Sequence, residues 1–435
     1  MRYKPLPASL YKRNRAKFMQ RMKPASLAVF NSNDIYPISA DSTLPFQQHR
    51  DIFYLTGVDQ EESILLLFPD APDPKHREVL FLRETNDHIK IWEGEKLTKE
   101  QARELTGIDT VYWTHEFERV FRDLMRHADR IYFNTNEHYR ASHETETRED
   151  RFIKWAKQQF PAHKTERSQP VLQRLRSVKE PEEIEQIKRA CDITAKGFDR
   201  VLQVLRPGMY EYEIEAELAR EFLRHGSRGF AYTPIIASGP NANILHYIQN
   251  DKIISDGELV LLDVGAEYGN WSSDLTRTVP ASGKFTPRQK EVYNAVLRVK
   301  NKAAKLLKPG ITIPRYHEKV GEFMTEELLR LGLLTEEEVK NQNPERPAYK
   351  KYFMHGTSHH LGLDTHDYGI LEEPIQAGMV FTVEPGIYIP EEGFGIRLED
   401  DYVVQPEGEP LNLMADIPIE ADEIEELMAR QKNKK

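Results

Sequence analysis

The sequence predicts an α+β fold in two domains, and three observations predict it: the length, an alternation of elements and a near repeat. The chain has 435 residues, more than one compact domain usually holds. Its first part alternates short β-rich runs with helical patterns, whereas its second part repeats one order of elements. We place the boundary near residue 170, so the expected domains are 1–170 and 171–435.

The first domain is expected to contain a mixed sheet flanked by helices. Runs rich in β-branched and aromatic residues predict its strands: 27–30, 63–68, 78–82, 89–92, 110–113 and 130–134. Helical patterns predict its helices: 98–105, 115–126 and 148–159. Residues 161–170 are polar and predict a linker. No glycine-rich phosphate loop follows the strands, which argues against a nucleotide-binding fold.

The second domain nearly repeats itself. One apolar helical stripe ends at Pro207-Gly208 and a second ends at Pro309-Gly310. Each stop is followed by another helical stretch and then by β-rich sequence. Two ordinary helices with common caps would also give this pattern. The matched order of elements favours an internal duplication, with a cleft between the halves as the place for a site.

Composition and charge exclude several classes of function. The net charge is −10, and the only basic runs lie at the two termini, so we expect no nucleic-acid partner. No stretch approaches the roughly 20 apolar residues of a membrane span, and no signal-peptide pattern is present. The single cysteine, Cys191, allows no disulfide within the chain, fits a helical core position and indicates a cytoplasmic protein.

Two aspartates on one predicted β-hairpin suggest a metal site. Asp263 interrupts the apolar run 258–266, and a turn at Tyr268-Gly269 would place it directly opposite Asp274. Their Cβ atoms would then be about 5 Å apart. Two such charges in an apolar strand pair are costly unless cations neutralise them. A register slip of one residue would put them on opposite faces.

The carboxyl-terminal part supplies further candidate ligands. Residues 395–404 alternate as one strand, with Arg397 and Glu399 on the same face, and Glu384 closes an apolar run before Pro385. Each residue alone would more often be a surface group. Together with the aspartates and one histidine they form an oxygen-rich set that suits two divalent ions such as manganese or cobalt. The set, here called the ligand cluster, is Asp263, Asp274, His359, Glu384 and Glu399.

Histidines concentrate in the same region. Four of them lie within twelve positions, at 355, 359, 360 and 366, and His246 follows an apolar pair. A neutral imidazole near a metal site can donate to a developing oxyanion or move a proton. His360 is expected to be structural. The pattern as a whole predicts a hydrolase.

The motifs closely resemble the proline-peptidase branch of the metallopeptidases with the pita-bread fold. That group contains aminopeptidase P, prolidase and methionine aminopeptidase. The resemblance lies in residues 244–247, 262–265, 273–277, 355–366, 382–388 and 396–401, and no ligand position departs from the pattern. Residues 46–57 and 91–94 resemble the amino-terminal domain of aminopeptidase P and prolidase, so nearly the whole chain is covered.

The resemblance implies a carboxyl-terminal pita-bread domain with pseudo-twofold duplication, and a role for each site residue. Asp263 would chelate one metal, Asp274 and Glu399 would bridge both, and His359 and Glu384 would hold the other. Glu384 would also take a proton from a metal-bridging water as the resulting hydroxide attacks. His246 and His366 would steady the tetrahedral intermediate and the substrate backbone, and His355 would line the subsite that accepts proline. Tyr388 and Arg397 would hold the ligand carboxylates in place by hydrogen bonds.

Within the family, two details favour aminopeptidase P, which releases the first residue from Xaa-Pro-Yaa peptides. They are Ser358, where many prolidases carry glycine, and the short span from Glu384 to Glu399. Prolidase, which cuts Xaa-Pro dipeptides, stays the alternative, and a non-catalytic peptide-binding module is a distant one. Manganese is the expected metal, because it suits a carboxylate-rich set without cysteine, with cobalt or zinc as alternatives. Family analogy suggests a homo-oligomer, a dimer or tetramer, in which Trp92 or its neighbours reach a partner's active site. The first domain is expected to serve substrate access and oligomerisation.

Overall fold

The structure is a computed structural model that describes residues 2–142 and 144–432. The chain divides into two compact units. The amino-terminal unit is Pro5–Arg176, and the carboxyl-terminal unit runs from Ser177 onward together with residues 2–4. Each unit has its own secondary structure and is described by itself.

The amino-terminal unit contains the predicted mixed sheet flanked by helices. Its strands are β1 (Ser26–Asn31), β2 (Pro37–Ser39), β3 (Ser42–Thr43), β4 (Ile64–Leu67), β5 (Glu78–Leu82), β6 (Thr110–Trp113), β7 (Arg130–Phe133) and β8 (Lys164–Arg167). Its helices are α1 (Ala8–Met19), α2 (Arg50–Thr56), α3 (Asp87–Glu93), α4 (Lys99–Thr106), α5 (Phe117–Met125), α6 (Arg148–Gln159) and α7 (Gln169–Ser177). Six strands form one sheet in the order β6-β5-β4-β1-β7-β8. The buried apolar residues of these strands pack against α5 and α6.

Two predictions for this unit are wrong. Residues 89–92 form part of α3 rather than a strand, because Asn86 accepts a hydrogen bond from the backbone N–H of Ile89 and begins a helix. Residues 161–170 are not a linker, since they contain β8, which pairs in parallel with β7, and the start of α7. The other predicted strands and helices of this unit are present.

The carboxyl-terminal unit carries two similar sets of helices and strands. The first set is α8 (Pro181–Val204), α9 (Glu211–Arg224), β9 (Ile235–Ser238), β10 (Leu259–Val264), β11 (Glu267–Tyr268), β12 (Trp271–Ser272) and β13 (Leu275–Pro280). The second is α10 (Pro287–Ala304), α11 (Ile313–Arg330), α12 (Glu336–Lys340), β14 (Val380–Val383), β15 (Gly386–Ile389), β16 (Phe394–Arg397), β17 (Asp400–Val403), β18 (Leu411–Asn412) and α13 (Ala421–Lys432). Among the residues that the structure describes, no helix combines the length and apolar character needed to cross a bilayer.

Matching hydrogen bonds show that the two sets repeat each other. The N–H of Gly208 donates to the carbonyl of Ile254 (2.8 Å), and the N–H of Ile254 donates to that of Met209 (2.8 Å). In the second set, Gly310 donates to Ile375 (2.9 Å), and Ile375 donates to Ile311 (2.7 Å). Both glycines have the positive φ that favours glycine after a helix end, 88° and 99°. This repetition confirms the predicted duplication.

Candidate active site

The two hairpin aspartates lie on one face of the sheet, but in a register different from the predicted one. Asp263, on β10, pairs with Thr276 on β13, and not with Asp274. The turn is Gly269-Asn270, with φ values of 59° and 77°, rather than Tyr268-Gly269. The observed strand pairing is therefore shifted by two residues from the predicted one. Because side chains alternate between the two faces of a sheet, a shift of two keeps both aspartates on the same face. Asp274 therefore lies diagonally across from Asp263.

The hydroxyl of Tyr232 joins the two aspartates. It lies 2.6 Å from Oδ1 of Asp263 and 2.5 Å from Oδ1 of Asp274. Burial and the two nearby aspartates raise the pKa of Tyr232 well above its ordinary value, so the hydroxyl stays protonated. One hydroxyl proton serves only one of the two carboxylates at a time. The sequence reasoning missed Tyr232, which lies outside every strand and carries no local pattern.

His359 points its Nε2 at the carboxylates. Its Nδ1 lies 3.0 Å from the carbonyl oxygen of His360, which can only accept, so the proton of a neutral ring is on Nδ1. Its Nε2 lies 3.5 Å from Oδ2 of Asp274 and 3.6 Å from Oε1 of Glu384. Although burial acts to lower it, the pKa of His359 is raised above its ordinary value by Asp274 and Glu384, so either a proton or a metal cation on Nε2 can lie between the ring and these carboxylates.

Glu399 reaches the site from the second half of the duplicated unit. Its backbone N–H donates to the carbonyl of Thr276 (3.0 Å), and the Thr276 hydroxyl donates to its Oε2 (2.6 Å). The predicted single strand 395–404 is wrong, because Leu398 and Glu399 separate β16 from β17. Ligand atoms of Asp274, His359 and Glu399 all lie within 4.8 Å of one another.

The ligand cluster is buried and strongly acidic. Burial, and then neighbouring carboxylates, raises the pKa of Glu399 well above its ordinary value, and burial raises the pKa of Glu384 to about 7. Among the described residues, the only direct salt bridge from an arginine to the cluster joins Arg397 to Asp263, with Nη2 and Oδ2 2.5 Å apart. Four carboxylates and one imidazole thus face one another with too little positive charge. This donor set fits a pair of divalent cations.

Arg397, Tyr388 and His355 form a chain of hydrogen bonds beside the cluster. Arg397 Nη1 donates to the Tyr388 hydroxyl (2.8 Å), and that hydroxyl lies 2.7 Å from His355 Nε2. His355 Nδ1 lies 2.7 Å from the carbonyl oxygen of Gly356, which fixes the proton on Nδ1. Burial and the charge of Arg397 lower the pKa of His355 to about 3. His355 is therefore neutral, with both nitrogens occupied.

The other histidines differ in position. The ring of His366 contacts that of His359, with centroids 4.4 Å apart. His246 is exposed, in the segment between β9 and β10. His360 packs against Phe381 at 4.2 Å between centroids, and burial lowers its pKa to about 3, in line with a structural role.

Asp401 supports the cluster by holding the backbone of Asp274, a role that the sequence analysis did not predict. Its Oδ2 accepts a hydrogen bond from the backbone N–H of Asp274 (3.0 Å). The thiol of Cys191 lies 3.4 Å from the same oxygen. Cys191 is 1% exposed, as expected for a core residue. The Asp401 carboxylate thereby fixes the backbone that carries Asp274.

Comparison with known proteins gives the family. The family model "Metallopeptidase family M24" matches residues 185–406, and "Aminopeptidase P, N-terminal domain" matches residues 11–132. Xaa-Pro aminopeptidase of Escherichia coli K12 is 37% identical over 96% of this chain and 97% of its own length. Human Xaa-Pro aminopeptidase 3 is 32% identical over 92% of this chain and 80% of its own.

Solved structures agree over nearly the whole chain. A putative aminopeptidase P from Bacillus anthracis has a TM-score of 0.90 and 33% identity, over 98% of this chain and 99% of its own. Zn-substituted E. coli aminopeptidase P in complex with product has a TM-score of 0.89 and 34% identity, over 98% of this chain and 99% of its own. The chain belongs to metallopeptidase family M24, in the Xaa-Pro aminopeptidase group, with an aminopeptidase P amino-terminal domain and a pita-bread carboxyl-terminal unit.

Proposed function

We propose that this protein is a metal-dependent aminopeptidase that releases the first residue from peptides with proline in the second position. The buried ligand cluster is the observation that carries the proposal, because its excess of negative charge fits a metal pair. The similarity to Xaa-Pro aminopeptidases over nearly the full chain supports the choice of substrate. Proline-containing peptides are therefore the proposed partners.

The residues of the ligand cluster would hold two divalent ions. Asp263 would bind one ion, and His359 and Glu384 would bind the other. Asp274 and Glu399 would bind both. When bound, the ions polarise a carbonyl oxygen and lower the pKa of water. Manganese suits this carboxylate-rich set, with cobalt or zinc as alternatives.

Glu384 is the proposed proton acceptor. Burial raises its pKa to about 7, which places it near the range in which a carboxylate takes and returns a proton at neutral pH. His355 Nδ1 lies 3.5 Å from Glu384 Oε2, while its proton is directed to the carbonyl oxygen of Gly356. His246 and His366 are proposed to donate to the developing oxyanion and to the substrate backbone.

The hydrogen-bond chain through His355 gives a physical reason for accepting proline. Both ring nitrogens of His355 have partners, so the remaining face of the ring offers neither donor nor acceptor. The nitrogen of an Xaa-Pro bond carries no hydrogen and needs no acceptor. A flat face without polar groups therefore suits the proline ring. Tyr388 and Arg397 keep that face in place and also hold Asp263.

We further propose a cytoplasmic homo-oligomer, a dimer or tetramer, that binds neither nucleic acid nor membrane. Residues 1–170 would contribute to substrate access and assembly, and residues 171–435 would carry catalysis. Trp92 is 77% exposed on α3 and is a candidate for contact with a partner subunit. A Trp92→Ala variant with unchanged kinetics and unchanged oligomeric state would rule out that contact.

A paired assay tests the proposed function. The protein is loaded with manganese and given an Xaa-Pro-Yaa tripeptide and an Xaa-Pro dipeptide, each with and without chelator. Chelator-sensitive cleavage of the tripeptide, with little cleavage of the dipeptide, is expected. Preference for the dipeptide would indicate a prolidase, and no cleavage of either would favour a peptide-binding module.

A further inference from the structure

Lys350 is a partly buried cation for which the described residues provide no acidic partner. Its ammonium makes one long hydrogen bond, 3.3 Å to the carbonyl oxygen of His355. Burial lowers the pKa of Lys350, and no neighbouring carboxylate counteracts that effect. A partly buried ammonium without counter-charge is unfavourable in the free protein. Such a group is well placed to pair with an anionic ligand.

Lys350 lies next to the proposed proline subsite. Its Nζ lies 5.8 Å from the centroid of the Phe353 ring, and that ring contacts the ring of His355 at 4.8 Å between centroids. The ammonium also lies 3.3 Å from the carbonyl oxygen of His355, so it stands directly beside the backbone of that residue. In an extended peptide the residue after proline extends about 3.3–3.6 Å further from the cleaved bond, and its carboxylate lies beyond the proline subsite.

A cavity of about 810 Å³ opens at Lys350. Arg346, Lys351 and Met354 also line it, and Met354, directly before His355, is 42% exposed. Two acidic residues, Glu337 and Glu338, also line it. The Glu338 carboxylate is used at the start of α12, where it accepts hydrogen bonds from the N–H and hydroxyl of Thr335. The volume lies in the range of small-ligand sites, about 300–1,000 Å³.

We propose that Lys350 and this cavity form a subsite for the leaving peptide, in which the ammonium pairs with the C-terminal carboxylate of an Xaa-Pro-Yaa tripeptide. The inference rests on the proposed function and makes it more specific. In an Xaa-Pro dipeptide the carboxylate belongs to proline itself and falls short of Lys350. In longer peptides it lies beyond the ammonium. Lys350 would therefore favour tripeptides with a free carboxyl terminus.

The test compares free-acid and amide forms of one tripeptide. kcat and KM are measured for Xaa-Pro-Yaa with a free carboxylate, for the same peptide as an amide, and for Xaa-Pro-Glu amide. The proteins are the unmodified enzyme, Lys350→Ala, Lys350→Arg and, as control, Lys302→Ala, which replaces an exposed lysine of α10 outside the cavity. The amide substrate also reports whether each variant keeps an intact active site.

We expect the unmodified enzyme to prefer the free acid through a lower KM. Lys350→Ala should reduce that preference about tenfold, which corresponds to about 1.4 kcal/mol, and leave cleavage of the amide unchanged. Lys350→Arg should keep most of the preference, and Lys302→Ala should keep all of it. High salt should weaken the preference, because the ammonium is only partly buried.

Three results would overturn the inference alone: an acid-to-amide ratio unaffected by Lys350→Ala, an equal loss on both substrates, or an Xaa-Pro-Glu amide cleaved as well as the free acid. The last would show that the ammonium recognises an acidic side chain instead. Failure of the unmodified enzyme to cleave any Xaa-Pro peptide would instead overturn the proposed function, and this inference with it.

Discussion

At the scale of single residues, the hydroxyl of Tyr232 holds the two aspartates of the first half together. Replacement by phenylalanine removes the only donor that contacts both carboxylates among the residues that the structure describes. Loss of such a supporting hydrogen bond typically lowers metal affinity about 10- to 100-fold. We expect Tyr232→Phe to weaken metal binding by that factor in titration calorimetry.

The matched control for this variant is Tyr210→Phe. Tyr210 is 37% exposed and stacks on Tyr212, outside the ligand cluster. Its replacement should leave metal affinity unchanged. Equal affinity in the Tyr232 variant and the unmodified protein would show that the hydroxyl does not organise the aspartates.

Glu149 predicts a pH dependence of stability in the amino-terminal unit. Burial raises its pKa from 4.5 to about 7, despite hydrogen bonds from Asn31 and Asn134. Between these values the folded chain keeps a proton that the unfolded chain has released. Stability therefore falls as pH rises, by about 1.4 kcal/mol per pH unit over this range.

The Glu149→Gln side chain cannot titrate, so this variant should lose the part of the pH dependence of stability that Glu149 causes. Thermal unfolding of Glu149→Gln at about pH 5 and about pH 7.5 should show a smaller difference than the unmodified protein. Glu104→Gln, at an exposed position of α4, is the control and should keep the full difference. A Glu149 variant with the same pH profile as the control would contradict the assigned pKa.

Single site residues divide into two classes by how far sequence could identify them. Three members of the ligand cluster stand in or beside apolar strands, where a charge is conspicuous, and the structure places ligand atoms of Asp274, His359 and Glu399 within 4.8 Å of one another. Tyr232 and Asp401 acquire their roles only through contacts with distant residues, Asp263 and Asp274. No local spacing of residues encodes such contacts, so the roles of these two residues could not be predicted from the sequence.

At the scale of elements, Gly265 allows the two strands of the aspartate hairpin to approach. A Cβ at this position would lie 1.9 Å from the carbonyl oxygen of Ser273, a backbone atom that cannot step aside. Gly265→Ala should therefore displace the strand that carries Asp274. We expect a loss of roughly 1–3 kcal/mol in unfolding free energy, together with weakened metal binding.

Gly257→Ala separates this clash from backbone strain. Gly257 precedes β10 and has a φ of +83°, and a Cβ at this position would have no atom within 4 Å. Replacement of Gly257 by alanine should lower the unfolding free energy by roughly 1–2 kcal/mol, because alanine is disfavoured at this φ. It should leave metal affinity intact. Similar metal affinity in the two variants would show that the close approach at Gly265 does not set the distance between the aspartates.

The elements that sequence predicted wrongly share a physical cause. In α3 the cap at Asn86 and the stop at Gly94 outweigh the β-branched and aromatic residues, which are exposed. β8 is a mostly polar edge strand, so it lacks the apolar alternation that predicts strands. In the hairpin, Gly269 and Asn270 both take positive φ, and that two-residue turn fixes a register that hydrophobicity alone left open.

At the scale of the whole carboxyl-terminal unit, the ligand cluster is shared between the duplicated halves. Asp263 and Asp274 come from the first half, and the other three ligands come from the second. The bridge between Thr276 and Glu399 joins the halves directly at the site. Neutralising the cluster should therefore stabilise the contact between the halves, and leaving it charged should weaken that contact.

This arrangement predicts that metal raises the stability of the unit. A ligand that binds only the folded state at about 100 times its Kd adds about 2.7 kcal/mol. The temperature of thermal unfolding should rise when manganese is added and should fall back to its initial value when chelator removes the metal. Asp274→Asn should melt higher than the unmodified protein when both are metal-free, because burial disfavours the charge of Asp274 and raises its pKa, and the amide carries no such charge.

The same variant should gain little from added metal, since Asp274 is the proposed ligand of both ions. Glu426→Gln, on the exposed face of α13, is the control and should respond to metal as the unmodified protein does. A metal-free Asp274→Asn protein that melts below the unmodified one would mean that Asp274 stabilises the fold through its charge. In that case the excess of negative charge in the cluster would not be the force that recruits the metal.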